Sequence, residues 1–265
     1  MRITSKKNPL VQNAKRLWER RERDFTKKFL IEGYREIMRA YEAKVPIETL
    51  FVSPEHFLGS NEDNLINKIQ QTGTSVYTLD KNVYESLSYR DRPDGLLGIA
   101  LQWKLSLDEL TLSKEPFLII AESIEKPGNL GTILRSADGA GVDGLILADK
   151  CTDLFNPNVV RSSVGTLFSV PVVEAKSEEI LSWLHKKKIT AVAGTPHATL
   201  TYTHANFKQP LAIVVGSEQY GLKDPWLTGE FLKVKIPMRG RADSLNVATA
   251  TTLLLYEVVR QRSLN

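Results

Sequence analysis

Residues 117–149 read FLIIAESIEKPGNLGTILRSADGAGVDGLILAD. An apolar run of strand type, FLIIA (117–121), gives way to a polar turn. A helical stretch, NLGTILRSADGAG (129–141), follows, and a second apolar run, GLILAD (144–149), closes the unit. Parallel strands need a long connection to return the chain to the same end of the sheet, so strand–helix–strand is the signature of a parallel pair. Three further apolar runs continue the pattern: ITAVAG (189–194), LAIVVG (211–216) and VKIPM (234–238), with EEILSWLHKKK (178–188) as another helix between them. Strands that are apolar throughout are buried on both faces, so the expected fold class is α/β, a mostly parallel sheet covered by helices on both sides. The last element, SLNVATATTLLLYEVVRQR (244–262), reads as a helix with an apolar stripe and closing arginines suited to its negative end.

Upstream, the polar stretch QWKLSLDELTLSKEP (102–116) reads as a linker, which divides the chain into 1–104, a linker over 105–115, and 116–265. Before it lies a smaller alternation: FLIEGYREIMRAYEAK (29–44) as a strand entering a helix, ETLFVSP (48–54) as a strand, and NLINKIQQTG (64–73) as a helix. TSVYTLD (74–80) and GLLGIAL (95–101) are two more strands, with VYESLS (83–88) as a helical turn between them. This is a second, small α/β unit.

The chain has 265 residues, 42% hydrophobic and 25% charged, which are globular proportions, and a net charge of +4. Its N-terminal thirty residues carry ten Lys/Arg against three acids and are expected to attract phosphate. The alternative is a solvated helix face with Leu10, Ala14, Leu17 and Trp18 packed beneath it. No run approaches the roughly 20 apolar residues that cross a bilayer, and the N-terminus lacks a signal-peptide core, so a cytoplasmic protein without a membrane partner is expected. Cys151 is the only cysteine and the four histidines have no metal-ligand spacing, so neither an internal disulfide nor a metal is expected.

Ligands of parallel α/β sheets bind beyond the carboxyl ends of the strands, which directs attention to the residues after each apolar run. Gly139, Gly141 and Gly144 form a G-x-G-x-x-G match, but a helix leads into it and a strand leads out, the reverse of a dinucleotide site. They read as a helix stop and turn. Three other segments stand at strand ends: EKPGNLGTILRSADGAG (125–141), IVVGSEQYGL (213–222) and IPMRGRADSLNVATATTLLLYE (236–257). Together and in this order they resemble the SpoU (TrmH) family of RNA ribose methyltransferases of the SPOUT superfamily. FLIEGYREIMRA (29–40) is similar, less specifically, to the ribosomal-protein-L30e-like substrate-binding domain often fused ahead of that catalytic domain.

The resemblance implies a deep trefoil knot in the C-terminal domain, S-adenosylmethionine as cofactor, a homodimer, and methyl transfer to a ribose 2′-hydroxyl of structured RNA. Ribosomal RNA of the 23S type is favoured over tRNA because a discrete domain precedes the catalytic one. It also implies Arg135, Asn129, Glu218, Ser244 and Asn246 as the catalytic set, and Gly194, Thr195, Gly216, Ile236, Met238, Leu245 and Val247 around the cofactor. Within that set Arg135 engages an RNA phosphate, the asparagines and Ser244 orient the ribose or the arginine, and Glu218 holds loops together. The plainer alternatives are a turn or helix N-cap for Asn129, the N-cap of the last helix for Ser244, and an exposed helical charge for Arg135. Arg161, in FNPNVVRSSVGTLFSVP (155–171), is expected to meet RNA phosphate or a partner subunit, or else to form a surface salt bridge. A non-catalytic RNA-binding protein of the same fold and a base-nitrogen methylase are the competing classes; the second lacks this motif signature.

Overall fold

The computed structural model describes residues 1–150, 152–228 and 231–263, so Cys151 lies outside the described residues. The chain forms two compact units. One comprises residues 1–103 and 153–169, the other 104–152 and 170–265.

The first unit begins with β1 (Arg2–Ile3), α1 (Pro9–Arg16) and α2 (Arg20–Thr26), followed by β2 (Lys28–Glu32), α3 (Tyr34–Glu42) and β3 (Ile47–Val52). It continues through α4 (Glu62–Gln71), β4 (Ser75–Leu79), α5 (Lys81–Leu87) and β5 (Leu96–Leu101). The sheet order is β1-β4-β3-β5-β2, with β5 antiparallel to both its neighbours and the other pairs parallel. Asn8 caps α1 by accepting the Leu10 amide at 2.9 Å, with Pro9 preset for the first turn. α1 buries Val11 and Ala14, which join Leu17 in a core with Leu30, Phe51, Tyr84 and Leu97. The N-terminal thirty residues are therefore a packed part of the unit.

Their cations divide accordingly. Lys6, Lys7, Lys15, Arg16, Arg20, Arg21 and Lys27 are exposed. Arg23 is only 1% exposed: its Nε and Nη2 donate to Asp153 Oδ2 at 2.9 and 2.6 Å, and its Nη1 donates to the carbonyls of Leu17 and Trp18, both at 2.8 Å. Phosphate attraction by the whole segment is corrected to this extent, because Arg23 faces the interior.

The second unit contains β6 (Phe117–Glu122), α6 (Pro127–Ala140) and β7 (Gly144–Ala148). The chain then makes α7 (Pro157–Ser163), part of the 153–169 stretch that packs in the first unit. It resumes with β8 (Val172–Ala175), α8 (Ser177–Lys187), β9 (Thr190–Gly194), β10 (Leu200–Thr201), β11 (Leu211–Val215), β12 (Leu232–Lys235) and α9 (Val247–Ser263). All seven strands are parallel, in the order β10-β12-β9-β11-β6-β7-β8, and the central strands are buried along their whole length. The expected α/β class with a parallel sheet is what the chain builds.

Local details follow the residues. Gly141, at φ +67°, ends α6 in the left-handed conformation that favours glycine, so the helix-stop reading of Gly139–Gly144 holds. The last strand lies at Leu232–Lys235 rather than 234–238, because Pro237 has no N–H to donate to a ladder. β8 and β10, which periodicity left out, are four and two residues long. Residues 105–115 lay Leu105, Leu107, Leu110 and Leu112 against the core of this unit.

Candidate active site at the carboxyl rim of the parallel sheet

Strand order puts the ends of β12, β9 and β11 side by side. Val234 is in register with Gly194, Val214 with Ala193, and the Thr195 amide donates to the Val234 carbonyl at 2.9 Å. Gly194, Thr195, Gly216 and Ile236 thereby share one rim. A Cβ on Gly194 would press on Leu254 of α9, and one on Gly216 would collide with the backbone of Gly221 and Leu222. The second restriction reflects a tight loop, in which Ser217 and Gly221 exchange backbone hydrogen bonds of 3.0 Å, with Gly221 at φ +66°.

Three segments far apart in sequence meet through side-chain amides. Asn129, in the first turn of α6, donates from Nδ2 to Glu218 Oε1 at 2.5 Å, and its Oδ1 accepts from Asn246 Nδ2 at 3.1 Å. Asn246 Oδ1 in turn accepts the Ala248 amide at 3.0 Å and the Thr249 amide at 3.4 Å. Asn246 is thus the residue capping α9, and Ser244, the alternative for that role, lies two residues further out and exposed. Asn129 itself is the third residue of α6, inside the helix rather than its N-cap. Glu218 Oε2 also accepts the Glu125 amide at 3.3 Å. Burial alone would raise the Glu218 carboxyl, but the Asn129 amide and the backbone N–H groups of Glu218, Glu125 and Lys126 outweigh it and hold the pKa below the ordinary carboxylate value.

The structure does not bring the remaining catalytic candidates into this chain of bonds. Ser244 makes no hydrogen bond among the described residues. Arg135 stands six residues beyond Asn129 on α6, exposed, with no hydrogen-bond or ion-pair partner among the described residues. Nearby, α6 packs closely on α9: Ser136 Oγ and Thr252 Oγ1 lie 2.6 Å apart, and Gly139 faces the Tyr256 hydroxyl.

Residues 236–245, which carry Ile236, Met238 and Leu245, make no backbone–backbone hydrogen bonds among the described residues. Ile236 and Met238 are half-buried and Leu245 is 37% exposed, while Val247 is buried at the start of α9. Free main-chain donors and acceptors beside half-covered apolar side chains suit a ligand that is part heteroaromatic and part polar. Among the described residues, no cluster of three or more His, Cys, Asp or Glu is placed to hold a metal.

One supporting residue was missed from sequence. Glu122 ends β6, is 1% exposed, and accepts the Lys223 amide at 3.0 Å, which fixes the far end of the Ser217–Leu222 loop. Burial pushes its carboxyl above the ordinary range, the Lys223 amide opposes this, and the charge of Asp149 adds to it. The signal was available: an acid closing an otherwise wholly apolar strand.

Residues 116–256 match the SpoU rRNA Methylase family, and residues 8–98 match the MRM3-like substrate binding domain. The chain is 32% identical to the 23S rRNA (uridine(2479)-2′-O)-methyltransferase of Streptomyces viridochromogenes, over 98% of this chain and 92% of the relative. A crystal structure of an RNA 2′-O ribose methyltransferase superposes with a TM-score of 0.88 at 40% identity, covering 99% of this chain and 100% of that one. A crystal structure of an AdoMet-bound rRNA methyltransferase from Sinorhizobium meliloti superposes with a TM-score of 0.90 at 30% identity, over 98% and 97%. Family match, fold and motif order agree along nearly the whole length, and the chain belongs to the SpoU rRNA methylase family.

Proposed function

We propose that this chain is an S-adenosylmethionine-dependent methyltransferase acting on a ribose 2′-hydroxyl of structured RNA, namely ribosomal RNA of the 23S type. The observation that carries the proposal is the Glu218–Asn129–Asn246 chain of hydrogen bonds, which joins three motif segments at the rim where a parallel sheet binds ligands. The names of the full-length relatives support the reaction, and they favour rRNA over tRNA. Residues 116–265 are the catalytic domain in this reading, and residues 1–104 bind the substrate.

S-adenosylmethionine supplies the methyl group, made electrophilic by its sulfonium. Gly194, Thr195, Gly216, Ile236, Met238, Leu245 and Val247 are the residues that would hold it, their backbone groups reading polar edges and their apolar side chains covering the adenine. The protein's part in the reaction is largely positional, since in-line displacement requires the 2′-oxygen aligned with the bond that breaks. Asn129 and Asn246 fix the ribose-facing edge, Glu218 holds Asn129, and Ser244 lies beside the target nucleotide. Arg135, exposed and unpaired among the described residues, engages an RNA phosphate and stabilises the charge that develops on the 2′-oxygen. Its guanidinium, which offers N–H donors and no acceptor, serves there as a donor rather than a base.

The same reading makes the enzyme a cytoplasmic homodimer with a deep trefoil knot in the catalytic domain. Leu253 and Tyr256, large apolar side chains 39% and 49% exposed on α9, support the dimer. No helix among the described residues is long and apolar enough to cross a membrane.

The test is methyl transfer from labelled S-adenosylmethionine to 23S rRNA. Arg135→Ala is expected to lower kcat/KM by about 10²–10³-fold or more, with donor affinity and melting temperature near wild type. Retained turnover refutes the role of Arg135, and a wild-type protein that binds the donor but methylates no rRNA refutes the substrate.

A further inference from the structure

In the first unit, remote in sequence from the three motifs, two aromatic rings and a guanidinium meet at the surface. The Trp18 and Tyr89 ring centroids lie 4.5 Å apart with their planes inclined by 33°, and Arg161 Cζ lies 5.9 Å from the Tyr89 centroid. Tyr89 is 39% exposed. Arg161 is exposed, and among the described residues its guanidinium has no hydrogen-bond or acidic partner, so the surface salt bridge considered from sequence is not formed.

The placement of these groups is fixed from behind on both sides. Glu32 accepts the Ser88 hydroxyl and, at 2.9 Å, the Tyr89 amide, which sets the backbone that carries the ring. The adjacent Arg90 donates to Glu36 at 2.7 Å and to the Glu32 carbonyl at 2.8 Å. Arg161 rides on α7, whose approach is anchored where Asp153 meets the buried Arg23. An exposed aromatic ring on a hydrogen-bonded turn, with a cation that no acid among the described residues pairs, resembles a recognition surface more than packing. Lys15 and Arg16, just ahead of Trp18 in the chain, are exposed and form no ion pair among the described residues. The cavity beneath the rings encloses only about 10 Å³, too little for a base, so a ligand would meet the exposed part of Tyr89 at the surface.

We propose that Tyr89, backed by Trp18, is a stacking platform for one unpaired nucleobase of the RNA substrate, with Arg161 holding the adjoining phosphate. Single-stranded RNA is recognised by stacking splayed bases on aromatic rings and guanidinium planes, while cations track the backbone. The inference rests on the RNA-methylating function proposed above. It adds to the substrate-binding segment a residue, Arg161, that lies outside residues 8–98 in sequence and inside the same unit in space.

The full-length protein is titrated into a single-stranded oligouridine heptamer with one central 2-aminopurine, following anisotropy and base fluorescence. Wild type is expected to bind and quench. Tyr89→Ala should weaken binding by roughly tenfold and abolish quenching, and Tyr89→Phe should retain both. Arg161→Ala, which changes only an exposed side chain, should weaken binding and lower the salt slope by about one while quenching persists at saturation. A Tyr89→Ala protein of unchanged melting temperature that binds and quenches like wild type overturns the proposal, as does an Arg161→Ala protein with an unchanged salt slope. Methyl transfer to 23S rRNA, measured in parallel, separates the two claims. Wild-type turnover with an RNA KM unaltered by Tyr89→Ala sinks the platform alone. Absent wild-type turnover with intact quenching sinks the reaction and supports the platform.

Discussion

In the first unit two cations close on acids inside the fold: Arg23 on Asp153 and two carbonyls, Arg90 on Glu36 and Asp94. At the rim of the second unit the carboxylate of Glu218 is held by amides, and Arg135 on α6 has no hydrogen-bond or ion-pair partner among the described residues. Burying an ion is costly unless it is paired, so these ion-paired sets read as scaffold. A carboxylate bonded only to neutral donors keeps its charge and its geometry without neutralising any cation. Under the proposed function Arg135 is the group left for an anion from outside, and the contrast is between ion-paired groups that hold the molecule together and a cation with no partner among the described residues.

The contrast can be broken at three places. The largest effect is expected at Arg23. Arg23→Ala leaves Asp153, 7% exposed, without its counter-charge and should lower the unfolding free energy by about 3–5 kcal/mol in urea titrations, with the Arg23→Met, Asp153→Leu pair recovering most of it. An unaffected single variant would show that the pair is not scaffold. Next, Asn129→Ala removes the donor to Glu218 and the acceptor for Asn246. Turnover should fall by about 10²-fold with a stability loss of only about 1 kcal/mol; the reverse ordering of the two losses would assign Asn129 to the scaffold. The smallest effect concerns Glu218. Its folded pKa lies below the ordinary carboxylate value, so its stabilisation is complete above that value and is lost as pH falls through the lower folded one. Glu218→Gln should be less stable than wild type at neutral pH, and the gap should shrink across that acidic window. A gap independent of pH would remove the ionised carboxylate from the account.

Much of this was legible in the sequence, for identifiable reasons. Strands such as LAIVV and FLIIA are apolar on both faces, and the fold class followed from their alternation with helices. The three motif segments were visible as the residues after those strands. Their joining was not, because the bonds from Asn129 to Glu218 and Asn246 span 89 and 117 positions. Between Ser244 and Asn246, both good caps, the choice depended on where α9 begins, and Val247 settles it. Arg23 misled most: in RRERD it is indistinguishable from its exposed neighbours, and only Asp153, 130 residues away, reveals it as an interior group.

That long reach has a bearing on how the protein is made. Residues 153–169 complete the first unit, yet residues 104–152, a stretch of 49, are synthesised before them. At roughly 5–20 residues per second, the 130 positions from Arg23 to Asp153 leave Arg23 without its counter-ion for about 6–26 s in the nascent chain. Release from the ribosome in the usual order, one finished domain after another, is thus not open to this chain: its N-terminal unit closes only after part of the next has emerged. A recombinant fragment ending at Trp103 would meet the same deficit permanently.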